Sequence, residues 1–257
     1  LLDTLPPMPK PSPRLTLDEA MAALQAAGSE QTRKTYARHG APEPMFGVSF
    51  ATLKTLLKRI KVDHELALAL WATGNYDARN LAVKIADPAR FSPAELDAWA
   101  AEPTARMSSS YVAMLAVEGP HAHEQVERWL AAEDEGRRCA GWHLVGELAT
   151  HDLELPDSWF AQRLAEIERD LHGAPNELRR VMNGALISIG CRDAAHHDAA
   201  LATAARLGPV SIDHGDTACK TFDAGETIEK AWTYARAKGA DSPAAMERAR
   251  PRMRLRC

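Results

Sequence analysis

Hydrophobic residues recur every three or four positions along most of this chain, in runs that short polar turns separate. Leu164, Ile167 and Leu171 show this spacing within one run. Most runs follow a residue whose side chain can accept a hydrogen bond from a free backbone amide at a helix start. The candidates for this capping position are Thr16, Ser29, Ser49, Asp63, Asn75 and Ser92. The pattern predicts successive α-helices, and the one strand-like segment, 208–213, is too short and isolated to count against it.

Beyond residue 100, the same periodicity predicts helices at about 104–117, 121–131, 134–149, 157–171, 176–190, 194–206 and 224–237. Helices joined by short turns pack as neighbours, and we pair them into units at 49–74, 75–101, 104–131, 134–171 and 176–206. Stacked two-helix units are typical of solenoids, and repeats of the HEAT type are often too degenerate to recognise by eye. We therefore predict an all-α fold, a HEAT-like repeat α-solenoid, with a globular bundle of helices as the alternative.

Composition narrows the function only slightly. The chain has 31 Lys and Arg against 35 Asp and Glu, a net charge of −4, so a nucleic-acid partner would need a local basic surface. The four cysteines form no Cys-x-x-Cys pair, which disfavours a disulfide framework and favours a reducing, cytoplasmic location. No apolar run is long enough to span a membrane. We expect a monomer with no cofactor, no metal and no membrane partner.

The chain divides by composition into three parts. We predict a flexible Pro-rich leader at 1–14, a repeat domain at 15–240 and a basic tail at 241–257. Arginines alternate with other residues in the tail: Arg248, Arg250, Arg252, Arg254 and Arg256. Such a terminus is typical of a disordered arm that lies on a phosphate backbone, or of a tail that only improves solubility.

Several short motifs resemble one known family. They are Phe46-Gly47-Val48, the apolar and basic helix that ends at Lys61, Leu66-Ala67 with Leu70-Trp71, Arg79 with Leu81-Ala82, and Arg138-Cys139-Ala140. Over residues 20–210 the chain resembles the AlkD-like DNA alkylation repair family, whose members are HEAT-like-repeat DNA glycosylases for alkylated, cationic purines. The resemblance implies a concave basic surface that holds duplex DNA without flipping the damaged base into a pocket.

At the positions where this family has its catalytic residues, the chain has other residues. The family stabilises an oxocarbenium-like transition state with a Trp- and Asp-containing cluster on its third repeat and a Trp two repeats later. Here Met107 and Ser110 stand where the carboxylates would be, and Asn183-Gly184 stands at the later Trp position. Tyr111, Trp99 and Trp142 are candidates to replace the missing Trp rings. Glu102 and Glu118 are candidates to replace the missing carboxylate. Glu102 is the catalytic candidate, and Tyr111 and Trp142 are the candidate groove aromatics.

Basic residues are the better candidates for contact with DNA. Lys54, Lys58 and Lys61 share a helix face, because residues three and four apart are neighbours on a helix. Arg138 falls where the family places a phosphate-contacting arginine. The predicted phosphate-binding residues are Lys54, Lys58, Arg59, Lys61, Arg138, Arg179 and Arg180. Without the resemblance, the same strip would be interpreted as a solvated face with ordinary ion pairs.

A polar loop near the C-terminus has the densest chemistry outside these motifs. It contains Asp213, His214, Asp216, Cys219 and Lys220, and resembles a Gly-x-Thr-x-Cys-Lys element in a branch of the family that lacks the catalytic cluster. The loop could hold a Cys nucleophile with His214 as base, or a weak metal site, but a turn and N-cap cluster is favoured.

The His pairs at 121 and 123 and at 196 and 197 lack further ligands at usable spacing. We predict a repair-associated protein that binds duplex DNA with an altered or lost glycosylase site. The alternatives are an active glycosylase with a displaced carboxylate and a HEAT scaffold that binds a protein partner.

Overall fold

A computed structural model describes residues 14–101 and 106–255, except the side chains of residues 106–109 and 253. Most of the predicted leader and the last two residues lie outside this part. The α-helices of the described chain are α1 Leu17–Ala27, α2 Glu30–Arg38, α3 Phe50–Ile60, α4 His64–Ala72, α5 Tyr76–Ile85, α6 Pro93–Ala101, α7 Arg106–Glu118, α8 Ala122–Leu130, α9 Glu135–His151, α10 Asp157–Asp170, α11 Asn176–Gly190, α12 Ala194–Leu207, α13 Ala224–Ala237 and α14 Pro243–Arg248. Over the same residues there is no β-strand, only an isolated bridge between Gly28 and Val48. The all-α prediction is confirmed.

The helix starts follow the capping pattern of the sequence. Thr16 and Glu19 form a reciprocal capping box at α1, with the Thr16 amide 2.8 Å from the Glu19 carboxylate. Ser92 and Glu95 form the same arrangement at α6, again at 2.8 Å. Ser29, Ser49, Asp63 and Asn75 each accept an amide hydrogen bond at the start of the next helix. These interactions span three residues or fewer, which is why the sequence alone predicts them.

The helices form two layers. α4 packs on α5, α6 on α7, α8 on α9, α10 on α11 and α12 on α13. The second helices of these pairs, α5, α7, α9, α11 and α13, stack in order and form an inner layer, to which α3 adds at one end. The units therefore begin one helix later than the sequence-based pairing, because α3 packs on α5 rather than on α4. Within the described residues, every helix is too short or too polar to span a membrane.

The turn at residues 46–48 is fastened to α5 by a buried carboxylate. Asp77 is fully buried and accepts the amides of Phe46, Gly47 and Val48 at 2.6, 2.9 and 2.8 Å. Gly47 has a φ of 78°, and a Cβ there would lie 2.5 Å from the Ser29 carbonyl oxygen. Only glycine suits that conformation in that space. The Phe-Gly-Val motif is thus a structural fastening between the first helices and the inner layer.

Residues 241–255, the C-terminal strap, run back across the C-terminal ends of the inner helices. The Ala244 amide bonds the Cys191 carbonyl at 3.0 Å, and Arg248 donates to the Thr150 carbonyl at 2.7 Å. Arg254 is 4% exposed, donates to the Glu118 carboxylate at 2.8 and 2.9 Å, and reaches the Lys84 carbonyl at 3.1 Å. The expectation of a free arm is wrong for these residues, because guanidinium groups satisfy carbonyls and the negative dipole ends of helices.

Candidate nucleic-acid interface

The basic strip of α3 is exposed. Leu53 and Leu56 of this helix are buried, which leaves Lys54, Lys58 and Arg59 on the exposed side. Lys61 is also exposed, but it follows the helix as its C-cap with a φ of 64°, so it does not share the helix face predicted from the spacing. None of these four side chains makes a hydrogen bond or ion pair with another residue of the described chain. Arg59 acts on α1 only through its charge, which adds a small part to the lowering of the Glu19 pKa that the Thr16 hydrogen bonds cause. Unpaired exposed cations of this kind are suited to phosphate contact.

Arg138 and Trp142 lie together in a crevice of about 290 Å³ between α9 and α10. Trp142 is 5% exposed, so most of its ring is packed against protein. The crevice also contains carboxylates and cations of both neighbouring outer helices: Glu127, Glu166, Asp170, Arg163 and Arg169. Arg138 and His143 are five residues apart on α9, so their side chains leave the helix about 140° apart around its axis. Its use as a phosphate contact stays a prediction.

Among the described residues near Tyr111, the third unit has no free carboxylate. Glu118 is engaged with Arg254 in the strap. Glu102 lies outside the described residues, as do the side chains of Met107 and Ser108. Trp99 is buried and stacks on Trp71, with ring centroids 4.0 Å apart and planes 4° from parallel, so it belongs to the core between α4 and α6.

Tyr111 is partly exposed, but a cation already lies against its ring. The Nζ atom of Lys84 is 4.7 Å from the Tyr111 ring centroid and 2.7 Å from the Arg254 carbonyl oxygen. Lys84 itself is fully buried. The electron-rich ring face that would attract a cationic purine is therefore next to an ammonium group of the protein's own chain.

The segment 208–223, the α12–α13 loop, covers one face of α11. Asn176 exchanges two hydrogen bonds with the backbone of Asp213, at 2.8 and 2.7 Å. Arg179 donates to the Ser211 carbonyl at 2.7 Å, and the Asn183 side-chain nitrogen donates to the Phe222 carbonyl at 3.0 Å. Arg180 is ion-paired with Glu177. Of the two arginines predicted to bind phosphate here, one tethers the loop and the other pairs within its helix.

A cavity of about 440 Å³ lies between this loop and α11. Its floor is Gly184 and Ile187, its walls include Ile212 and Phe222, and its rim carries Arg180 together with His214, Cys219, Lys220 and Thr221. The floor coincides with the position at which the resemblance implies a Trp. A second cavity of about 380 Å³ lies behind Phe222 and Asn183, against α12. The sequence predicted the loop residues but not that they roof a cavity.

The polar residues of the loop mainly support its own turns. Asp213 accepts the Gly215 amide at 2.8 Å, His214 and Thr221 approach to 3.1 Å, and the Cys219 amide bonds the Thr217 hydroxyl at 3.3 Å. Asp216, Cys219 and Lys220 are exposed. No group of three or more His, Cys, Asp or Glu side chains comes together as metal ligands within the described chain.

The inner face of α9 contributes two neutral groups. Burial raises the pKa of the Cys139 thiol to about 12, so this thiol is protonated and unreactive at neutral pH. Burial, and then the charge of Arg180, lowers the pKa of His143 to about 3. The His143 side chain is partly accessible, but its Nε2 atom is buried and has no hydrogen-bond partner. This histidine is uncharged at any physiological pH.

One signal for the loop contact was present in the sequence. Asn176 and Asn183 are seven residues apart, two helical turns, with Arg179 and Arg180 between them. They form a polar stripe along a helix whose other faces are apolar. A stripe of amides and guanidiniums indicates a face covered by backbone, although it does not reveal which segment covers it.

Comparison with known proteins places these features in one family. A family model described as DNA alkylation repair enzyme matches residues 20–221. The uncharacterized proteins Lin0241 of Listeria innocua and Lmo0209 of Listeria monocytogenes are each 27% identical over 223 residues, covering 84% of this chain and 97% of their own.

A solved structure is similar over 88% of this chain and 96% of its own, with 30% identity and a TM-score of 0.79. It is described as representing a new family of proteins related to the HEAT-like repeat DNA glycosylases with affinity for branched DNA structures. This likeness confirms the predicted HEAT-like fold. The family match covers most of the chain. It includes the Phe-Gly-Val turn that Asp77 holds. The chain belongs to the DNA alkylation repair family.

Proposed function

We propose that this protein binds DNA, with a preference for branched forms, and does not excise alkylated purines. The exposed, unpaired cations of α3 carry the binding part of the proposal, since α3 packs on the inner helix α5 and leaves these side chains to solvent. The related structure, whose family has affinity for branched DNA structures, supports the preference for branched forms. The cytoplasmic location and the monomeric state expected from the sequence belong to the same proposal.

The proposed lack of excision rests on the chemistry around Tyr111. A glycosylase needs a carboxylate near the sugar to stabilise developing positive charge. Glu118 is neutralised by Arg254, and Lys84 lies against the aromatic ring. The Glu118–Arg254 pair carries no net charge and leaves no free carboxylate there, while the Lys84 ammonium adds positive charge, which opposes a cationic transition state.

The binding test compares a four-way DNA junction with a duplex of equal length in gel-shift titrations at 50 to 200 mM salt. We expect tighter binding to the junction and a steep fall in affinity with salt. Changing Lys54, Lys58 and Lys61 together to Glu should weaken binding and make the dependence of log affinity on log salt shallower by about three.

A charge-matched control separates this strip from a general charge effect. Lys34, Lys230 and Lys238 are exposed lysines on or next to other helices, and their joint change to Glu alters net charge by the same amount. Equal weakening by both triple variants, or an affinity insensitive to salt, would contradict binding through α3. Release of N7-methylguanine from duplex DNA above the buffer rate would restore the glycosylase alternative, and Glu102→Gln should then abolish it.

A further inference from the structure

Phe222 is the starting observation. This side chain is 69% exposed, on a loop that is otherwise tethered to α11, and it forms a wall of the 440 Å³ cavity. A single exposed apolar side chain is ordinary on a protein surface, and Phe222 differs because it stands beside a cavity. An exposed aromatic face beside a cavity is the arrangement with which proteins stack a nucleobase.

Asn183 holds the loop beside the cavity. It is 3% exposed and lines the same cavity. Its side-chain nitrogen donates to the Phe222 carbonyl and so fixes the backbone that carries the ring. Its Oδ1 atom has no partner but is buried, so a molecule bound in the cavity does not reach it. Recognition in this cavity therefore rests on stacking against Phe222.

The size and lining of the cavity fit one planar heterocycle. A volume near 440 Å³ with mostly apolar walls and few polar groups is typical of small-molecule sites. Gly184 leaves the floor open, since a Cβ built on it would meet nothing within 4 Å. Exposed Lys220 at the rim can approach a phosphate beside the base, whereas the Arg180 guanidinium is held by Glu177. Of the loop carboxylates, Asp213 is engaged by Gly215, Asp223 caps α13, and exposed Asp216 does not line the cavity.

We propose that the cavity under the α12–α13 loop binds an unpaired nucleobase at a DNA branch point, stacked on Phe222. A base within a duplex is stacked on both faces and paired along its edge, so only an unstacked base can enter. Branch points supply such bases. This inference rests on the proposed binding of branched DNA and names the part of the DNA that is recognised.

The test uses a three-way junction with one unpaired adenine at the branch, and the same junction with an abasic sugar at that position. The two keep the same phosphates, so their difference in affinity measures the base alone. For the wild-type chain we expect the abasic junction to bind about 5- to 150-fold more weakly. With 2-aminopurine as the unpaired base, binding should quench its fluorescence.

Two variants remove the site in opposite ways. Phe222→Ala deletes the stacking face, and Gly184→Leu fills the cavity; both should abolish the difference between adenine and abasic junctions. Gly184→Leu should also raise the melting temperature, since leucine favours a helix more than glycine does, so its loss of binding cannot come from unfolding. Tyr234→Ala, which removes an exposed aromatic on α13, is the matched control and should keep the difference.

The outcomes distinguish this inference from the proposed function. Tight junction binding with equal affinity for adenine and abasic forms overturns the base site and leaves branched-DNA binding intact. The inference is also overturned if Phe222→Ala and Tyr234→Ala behave alike, or if sedimentation shows a dimer that Phe222→Ala converts to a monomer. Failure of the wild-type chain to bind any junction overturns the proposed function, and the base site with it.

Discussion

The turn at 46–48 and the α12–α13 loop are both irregular segments laid on an inner helix, yet they are held in opposite ways. In the turn, one buried carboxylate of the helix, Asp77, collects three consecutive backbone amides. In the loop, amide and guanidinium side chains of α11 reach out to separate carbonyls: those of Ser211, Asp213 and Phe222. A single collecting charge draws the backbone into a closed contact, whereas spaced tethers leave room between them. The first arrangement serves the fold, and the second leaves a cavity.

The largest effect should come from the carboxylate that closes the turn. Asp77→Ala would leave three amides without an acceptor, and we expect the free energy of unfolding to fall by about 3–5 kcal/mol. Asn176→Ala, which removes two exposed hydrogen bonds of the loop, should cost about 1 kcal/mol. Urea denaturation measures both. Similar losses for the two variants would show that the turn and the loop are held alike.

The strap extends the comparison to a charged segment. Arg254→Ala would leave the Glu118 carboxylate and two carbonyls without their donor, and we expect a loss of about 2–4 kcal/mol in unfolding free energy. Arg250, four residues earlier, is exposed and makes only a long ion pair of 3.6 Å with Glu247. Arg250→Ala should therefore change stability by less than about 0.5 kcal/mol. If thermal melts show both variants to be silent, the strap behaves as a free arm after all.

The smallest difference in unfolding free energy is expected between alanine substitutions of two glycines. Gly47 and Gly208 both have positive φ, 78° and 66°, but only Gly47 is crowded, since nothing lies within 4 Å of a Cβ built on Gly208. With a ψ of −160°, Gly208 lies in a region that essentially only glycine adopts, so Gly208→Ala should cost about 1–3 kcal/mol from conformation alone. Gly47→Ala should cost about 1–3 kcal/mol more, because its neighbours are backbone atoms that must move. Equal losses would mean that the turn yields as easily as the loop.

Sequence patterns predicted most helices because caps and hydrophobic spacing involve residues only a few positions apart along the chain. The run predicted at 176–190 is α11 to the residue, and the Asn75 and Ser92 caps lie where expected. The pairing of helices into units was wrong by one helix, because adjacency along the chain does not distinguish α3 packed on α5 from α3 packed on α4. The strap was misjudged for a related reason: an arginine that binds helix ends has the same sequence as one that meets solvent.

The candidate site residues also divide into those that local spacing predicts and those that depend on distant contacts. The exposure of the α3 cations could be predicted from spacing, since the amphipathic pattern already separates Leu53 and Leu56 from the basic face. Their choice as phosphate contacts needed the family resemblance and stays a prediction. The engagement of Glu118 by Arg254 and the burial of Trp99 against Trp71 depend on contacts that local spacing does not encode. The cavity at Asn183 required knowledge of which segment covers α11.

By itself, the sequence determined the helices, their caps and the family, because those depend on interactions between residues three or four apart and on short motifs. The tertiary structure decided how the segments close. Asp77 meets amides that lie 29 to 31 positions away along the chain, and Arg254 meets Glu118 at a separation of 136. A buried charge is tolerated only where partners converge from distant segments. That convergence made the Phe-Gly-Val turn a fastening, the arginine tail a strap and the polar loop the roof of a cavity.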